Sequence, residues 1–455
     1  AVKSQVQRFV AAYLQRSTES PQSTNEVDII LKELAAEDVA GAGDSGKTDE
    51  IADAGASDSA VIKLVNQIII DAYRRGASDI HIEPNGTQRK TTIRFRVDGE
   101  CVAYQDVPAS FRHPLVARLK IMARLDIAER RKPQDGKIRF QLKEQAIELR
   151  VATIPTVNQN EDVVLRILAA SKPMPLDGIT LSDRNFRELK ALAEKPYGLV
   201  LCVGPTGSGK TTTLHSLLGH INTLDRKIWT AEDPVEITQP GLRQVQMQPK
   251  IGLDFAAAMR AFLRADPDVI MVGEMRDEET ANTAVEASLT GHLVVSTLHT
   301  NSAPETITRL VDMGLDPFSF ADALLGVLAQ RLVRGLCKEC RVQYAATREE
   351  YEELSRAYAA EDRVKKIGAF GPAFKLWRAP GCEACGGSGY KRRFGIHELL
   401  VATDPVKRAI QKKSPVAEIR QIALEEGMTT LLQDGVQKAL AGLTDMRQVF
   451  AVCSR

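Results

Sequence analysis

The spacing of apolar residues changes several times along the chain, and each change marks an element. Residues 1 to about 36 carry helix-like periodicity, with Val6, Phe9, Val10 and Leu14 on one side. From Asp38 to Ser59 the composition shifts to Ala, Gly, Asp and Ser, which reads as a flexible linker. Apolar residues return at helical spacing in Val61, Leu64, Val65, Ile68, Ile69 and Ala72, predicting a helix that runs to Arg75. Asp79 to Glu83 and Thr92 to Val97 then alternate, as half-buried strands do. In the second, Arg94 and Arg96 share one face while Ile93, Phe95 and Val97 share the other. Asp98 and Gly99 form a turn signal. A helix from Pro114 to Leu125, a polar basic patch from Glu129 to Gly136, and strands at Lys137–Leu142, Ile147–Thr153 and Val163–Leu168 complete a small α+β unit.

Ala169 to Thr180 holds two prolines and a glycine and reads as a linker. After a helix from Asp183 to Glu194, strand and helix patterns alternate, which predicts a parallel sheet with helices on both faces. Thr347 to Lys366 reads as a charged helical excursion. Pro415 to Val452 reads as short helices, with Leu424, Met428, Leu431 and Leu432 on one face. The expected domains are therefore a helical segment and linker over 1–59, an α+β lobe over 60–170, a linker over 171–182, and an α/β domain over 183–455.

Composition narrows the class. Sixty basic residues against 59 acidic ones give a net charge of +1, without the basic excess of a nucleic-acid footprint. No run of 18 apolar residues exists, so no membrane span is expected. No signal peptide is visible at the start, and the chain begins with Ala1 rather than Met, which predicts a truncated or processed chain. Seven cysteines, four of them in two C-x-x-C pairs, fit a reducing compartment and a metal better than a disulfide framework.

The chemistry centres on Gly204, Pro205, Thr206, Gly207, Ser208, Gly209, Lys210 and Thr211, which fit the phosphate-binding loop pattern G-x-x-x-x-G-K-[ST]. The apolar run Gly198–Val203 precedes it, and a helix opening at Thr212 follows, as the motif requires. Backbone N–H groups and the helix N-terminus favour phosphate oxygens. Lys210 can reach the β- and γ-phosphates, and Thr211 can offer a hydroxyl to Mg²⁺. After a short strand at Lys227–Trp229 come Glu232, Asp233 and Glu236, placed for a Mg²⁺ shell or for an ordinary solvated turn. The apolar strand Val269–Val272 leads through Gly273 to Glu274, a carboxylate placed to deprotonate an attacking water. His292 and His299 bracket the strand Leu293–Leu298, and suit sensing of the γ-phosphate or plain structural roles. Cys337, Cys340, Cys382 and Cys385 can close a tetrahedral Zn²⁺ site.

These stretches together resemble the bacterial secretion ATPases, which power type II secretion and type IV pilus assembly. Gly204 to Thr211, Glu232 to Glu236, Asp266 to Glu274 and Gly291 to His299 match the family's Walker A, aspartate, atypical Walker B and histidine boxes. Arg75 to Pro84, Arg94 to Gly99 and Asp126 to Gly136 resemble its N-terminal subdomain. The cysteine pairs match its zinc subdomain, here 337–397. The likeness covers roughly residues 60 to 455. It implies a RecA-like P-loop core preceded by a smaller PAS-like α+β lobe, and a homo-hexamer of two-lobed subunits that hydrolyses ATP to ADP and phosphate. By the resemblance, Glu274, Glu232, His299 and His292 serve catalysis, and Gly204 through Thr212 hold the nucleotide. Arg94 and Arg96 match the arginines that reach the phosphates from the smaller lobe of the same or a neighbouring subunit.

ATP, Mg²⁺ and Zn²⁺ are the implied cofactors. An inner-membrane platform protein is the implied partner, with a further N-terminal domain and a cytoplasmic location at the inner-membrane face. Two departures stand out. Gly273 occupies the place of a Mg²⁺-binding aspartate, and Asn158-Gln159-Asn160 stands where the family has a glycine. A nucleic-acid translocase on the same core, and a nucleotide-binding scaffold without turnover, are the competing readings.

Overall fold

A computed structural model describes residues 57–142, 145–168, 173–358 and 367–453. The chain divides into two compact units, Ala1–Ala170 and Ser171–Arg455. The helix and linker expected before residue 57, and residues 169–172, lie outside the described residues.

The first unit opens with the helix Ser57–Arg74, followed by β1 (Ala77–Pro84), β2 (Thr91–Val97) and β3 (Glu100–Val107). A second helix, Arg112–Ala123, leads to β4 (Gln134–Leu142), β5 (Gln145–Pro155) and β6 (Glu161–Leu168). The six strands form one antiparallel sheet in the order β3-β2-β1-β6-β5-β4. Leu64, Val65, Ile68, Ile69 and Ala72 of the first helix are buried against Ile80, Ile82, Ile93, Phe95 and Leu165 of the sheet. The other sheet face carries His81, Arg94 and Arg96, as the alternation in β2 predicts. β3 escaped the pattern because it is an edge strand with irregular burial, and its Val102 is half exposed.

In the second unit, β7 (Gly198–Val203), β8 (Ile228–Glu232), β9 (Arg243–Gln246), β10 (Val269–Val272), β11 (Leu293–Leu298) and β12 (Leu324–Leu336) pair in parallel. With a further strand, β15 (Tyr390–Val401), the order is β15-β12-β7-β11-β10-β8-β9. Successive residues of β7 feed two cores. Leu199, Leu201 and Val203 pack on one side of the sheet, and Val200 and Cys202 on the other. A strand buried on both faces needs a continuous apolar run, which is what Gly198–Val203 supplies.

The expected parallel sheet is present, and one strand at its edge runs against the others. β15 (Tyr390–Val401) runs antiparallel to β12, from Gly326↔Val401 to Leu336↔Tyr390. The reason is the connection. The chain leaves β12 at Leu336 and returns at Tyr390 through a small module instead of a crossover helix, so it forms a long hairpin. That module holds β13 (Val342–Ala345) and β14 (Lys375–Arg378) as a two-stranded antiparallel pair, plus the helix Arg348–Tyr358. Residues 359–366 of the expected excursion lie outside the described residues.

The departure at Asn158-Gln159-Asn160 is visible in the backbone. Asn158 (φ 59) and Gln159 (φ 57) both adopt the left-handed conformation, and the turn closes with Thr156 N–H donating to Asn160 O at 2.8 Å. Asn tolerates this region through its short polar side chain, whereas Gln gains nothing there. Gln159→Gly should therefore raise stability by ~1 kcal/mol in urea unfolding, and Asn158→Gly by less. Loss of stability in the Gln159→Gly protein would contradict this account of the turn.

Candidate active site

β7 ends at the sheet edge, and the loop Gly204–Gly209 carries the chain into the helix Lys210–Ile221. Pro205, Thr206 and Gly207 are exposed, while Gly204 and Ser208 are buried. Gly204 (φ 153), Gly207 (φ 77) and Gly209 (φ 87) take positive φ. Gly209 is the helix N-cap and supplies no side-chain cap, so the first-turn N–H groups are left for a ligand. Lys210 Nζ donates to Gly204 O at 2.8 Å and Pro205 O at 3.2 Å. Burial pushes the Lys210 ammonium pKa down, opposed in part by the charge of Glu274, and Arg331 lowers it further. An ammonium that rests on two carbonyls of its own loop is a cation ready for an anion. Thr211 and Thr212 follow it, half-buried, in the first turn.

Parallel pairing brings other expected groups to the same edge. Glu274 follows β10, and His299 follows β11. His299 Nε2 lies 3.0 Å from Glu274 Oε1, and Arg276 Nε donates to Glu274 Oε2 at 2.8 Å. The carboxylate is thus held from both sides, next to the lysine it influences.

Glu232 and His292 each have partners of their own. Glu232, at the end of β8, is 2% exposed. Its carboxylate accepts from Thr230 Oγ1 (2.7 Å), Gln244 Nε2 (2.9 Å) and His215 Nε2 (3.0 Å). Burial raises its pKa, but these hydrogen bonds outweigh burial and hold it below the usual carboxylate value. The tautomer of His215 follows from Gln239, whose Nε2 reaches both His215 O and His215 Nδ1 at 2.8 Å. A carbonyl only accepts, so that nitrogen donates, Nδ1 accepts, and Nε2 carries the proton given to Glu232. Glu232 thus links β8 to the helix after the phosphate loop, with three donors on its carboxylate.

His292 precedes β11, whereas the loop follows β7. Because the two strands run parallel, His292 lies at the opposite sheet edge, where its backbone O accepts from Gly198 N–H and its ring contacts Ala287 O at 2.9 Å. The structure does not bring it to the loop.

Sequence reasoning missed His215, Gln330 and Arg331. His215 lies five residues after Lys210, on the buried side of the same helix. Gln330 and Arg331 interrupt the apolar run of β12, and a polar pair inside a buried strand was the available signal.

In the first unit, Arg94 Nε and Nη2 donate to Glu83 at 2.8 and 2.6 Å, a two-pronged pair. That pair raises the Arg94 pKa. Arg96 Nη1 donates to Gly99 O at 3.0 Å, and its Nε lies 3.7 Å from Asp79. The two guanidinium groups share a face, as expected, and each has a carboxylate beside it.

The four cysteines converge. Their sulfurs lie within 4.8 Å of one another, with Cys337–Cys382 at 3.8 Å, Cys340–Cys385 at 3.9 Å and Cys382–Cys385 at 3.7 Å. Disulfide sulfurs would sit at ~2.0 Å. A tetrahedron with Zn–S arms of ~2.3 Å has an edge of ~3.8 Å, so the donor set fits Zn²⁺ in both chemistry and size. The site closes the base of the β12–β15 hairpin, where Cys337 N–H donates to Gly389 O at 2.8 Å.

The family model described as Type II/IV secretion system protein matches residues 54–451. The chain is similar to the Type IV pilus assembly ATPase PilB of Thermus thermophilus, with 45% identity over 395 residues that cover 87% of this chain and 43% of that protein. It is similar to Type II secretion system protein E of Dickeya dadantii, with 44% identity over 409 residues that cover 89% of this chain and 78% of that protein. Among solved structures, the pilus retraction motor PilT with bound ADP matches at TM-score 0.57 and 26% identity, over 85% of this chain and 96% of that one. The Legionella pneumophila ATPase DotB matches at TM-score 0.62 and 22% identity, over 86% and 95%, a likeness of fold.

Purified protein should carry about one Zn²⁺ per chain by elemental analysis, because four thiolates fill a tetrahedral shell. Chelation should expose the four thiols and loosen residues 337–389 before it affects nucleotide binding. Metal-free protein with four freely titrating thiols and an unchanged melting curve would contradict the assignment.

Proposed function

The chain belongs to the type II/IV secretion system protein family, and from that premise we propose that its second unit is an ATP-hydrolysing motor domain. The observation that carries the reading is the meeting of Lys210, Glu274 and His299 at one sheet edge around an exposed, glycine-rich helix N-terminus. In this reading the N–H groups of Gly204 to Thr212 hold the phosphates. Lys210 leaves the Gly204 and Pro205 carbonyls for the β- and γ-phosphate oxygens. The Thr211 hydroxyl would hold Mg²⁺, which neutralises phosphate charge when bound, and Gly273 leaves that task without an aspartate. Glu274 takes a proton from the attacking water, with Arg276 and His299 fixing its carboxylate. Arg94 and Arg96 supply guanidinium groups to the developing phosphate charge, exchanging Glu83 and Asp79 for phosphate oxygens.

The wider assignment is a homo-hexamer in which residues 60–170 form the smaller lobe. Residues 171–182 link it to the ATPase domain 183–455, with a zinc subdomain at 337–397. The motor acts on an inner-membrane platform protein at the cytoplasmic face, to assemble type IV pili or a type II secretion pseudopilus. The names of the similar proteins, a pilus assembly ATPase and a type II secretion protein, support the pilus-assembly or secretion role. Among the described residues no helix is long and apolar enough to cross a membrane, which suits a peripheral partner.

Lys210→Ala should abolish nucleotide binding. Glu274→Gln should bind ATP like the parent while turnover falls by ~10² or more. Parent-rate turnover by the Glu274→Gln protein would remove Glu274 from its role, and turnover that depends on added DNA would favour the translocase reading.

The Arg94→Ala/Arg96→Ala protein should bind ATP yet lose ~10³ in rate. Mixed with Lys210→Ala protein, it should regain activity if the arginines serve a neighbouring subunit, and none if they serve their own. Parent-rate turnover by the double variant alone would reject the arginines' role.

A further inference from the structure

Two residues near the middle of β12 belong to none of the four boxes, yet they touch both halves of the site. Gln330 is 3% exposed. Its Nε2 donates to Ser208 O at 2.7 Å, and its Oε1 accepts from Thr213 Oγ1 at 2.6 Å. It therefore ties the phosphate loop to the first turn of the helix that follows. The fit is close: a Cβ on Gly204 would lie 2.5 Å from Gln330 O, and one on Gly209 would lie 2.8 Å from Gln330 Nε2. The hydrogen bond to Ser208 O also has a directional consequence. In a planar trans peptide the C=O and the following N–H point in opposite directions. Holding the Ser208 carbonyl toward β12 turns the Gly209 N–H away from β12.

Arg331 faces a different set of atoms. Its guanidinium donates to Gln330 O (3.1 Å), Asn301 O (3.2 Å) and Asn301 Oδ1 (2.9 Å), all neutral acceptors. In the sheet β7 lies between β11 and β12. Asn301 follows β11, so the Arg331–Asn301 contact spans the end of β7, where the phosphate loop begins. Asn301 is two residues past His299, the partner of Glu274.

We propose that Gln330 and Arg331 are positioning residues for ATP hydrolysis. Gln330 sets the phosphate-binding orientation of the Ser208–Gly209 peptide, and Arg331 holds the His299–Asn301 segment in register with it. The Gln330 half rests on the phosphate-binding part of the reading above, and the Arg331 half on its hydrolysis part.

The test uses the full chain, a fluorescent ADP for affinity and phosphate release for turnover. Gln330→Met keeps the volume and removes both hydrogen bonds, and should weaken ADP and ATP alike by ~10-fold. Thr213→Val should cost little more once Gln330→Met is present, because both remove the same bond. Parent-like ADP affinity in Gln330→Met, or fully multiplicative losses in the pair, would overturn the Gln330 half.

Arg331→Ala should keep ADP affinity within ~2-fold and lower kcat, with no further loss in a His299→Ala background. Arg331→Lys keeps the charge but not the three-point hold, and should show the same kcat loss if Arg331→Ala proves unstable. Parent-like kcat in Arg331→Lys, or losses that multiply with His299→Ala, would overturn the Arg331 half. If the parent chain binds ADP but never hydrolyses ATP, the hydrolysis reading fails and takes the Arg331 half with it. The ADP affinities still decide Gln330.

Discussion

Val203 pairs with Leu298 on one side and with Ala329 on the other, both in parallel register. β7 and β11 therefore end side by side while β12 runs on past them, so the residues that follow the two ends meet the second half of β12 at one edge. Gly204 follows the first, His299 the second and Gln330 is next along the third. β10 adds Glu274 to the same edge through its parallel pairing with β11. No local interaction could gather residues so far apart in sequence. The backbone ladder of a doubly covered parallel sheet does it, and the continuous apolar runs of β7, β10 and β11 secure that ladder by burying both faces.

Charge is arranged around that edge with few spare partners. Lys210 rests on carbonyl oxygens and Arg331 on neutral acceptors, while Glu274 is the carboxylate that acts on Lys210. Glu232 is buried, with three donors on its carboxylate. An edge that holds two cations on neutral groups, next to N–H groups with no cap, is suited to an anion of several charges. The hairpin of β12 and β15 supports the arrangement from outside. It carries Gln330 and Arg331 on one strand and Glu398 on the other. Glu398 accepts from the N–H groups of Ala303 and Leu431, which open two helices. The tetracysteine cluster closes the far end of the same hairpin.

Much of this was legible in the chain before any coordinates, and the remainder was hidden for identifiable reasons. The phosphate loop, Glu274 and the cysteine pairs announce themselves through local spacing, and the alternation in β2 placed Arg94 and Arg96 together. Their carboxylate partners were not legible, because Glu83 and Asp79 meet them only through the register of β1 against β2. His292 and His299 look equivalent in sequence, but a strand has two ends and the two histidines flank opposite ones. His215, Gln330 and Arg331 make hydrogen bonds to segments distant in sequence, so only the packed structure displays their partners. β15 was hidden because its direction depends on where the chain re-enters the sheet.

The central claim is that this edge binds the phosphates of a nucleotide through the Gly204–Thr212 segment, with Lys210 changing partners to do so. A crystal structure of the chain with Mg²⁺ and ADP tests it most directly. The diphosphate should lie against the N–H groups of that segment, with Lys210 Nζ moved from Gly204 O and Pro205 O to a phosphate oxygen, and with the Gln330 bond to Ser208 O intact. Nucleotide bound elsewhere, or an unchanged Lys210 beneath a bound diphosphate, would contradict the account.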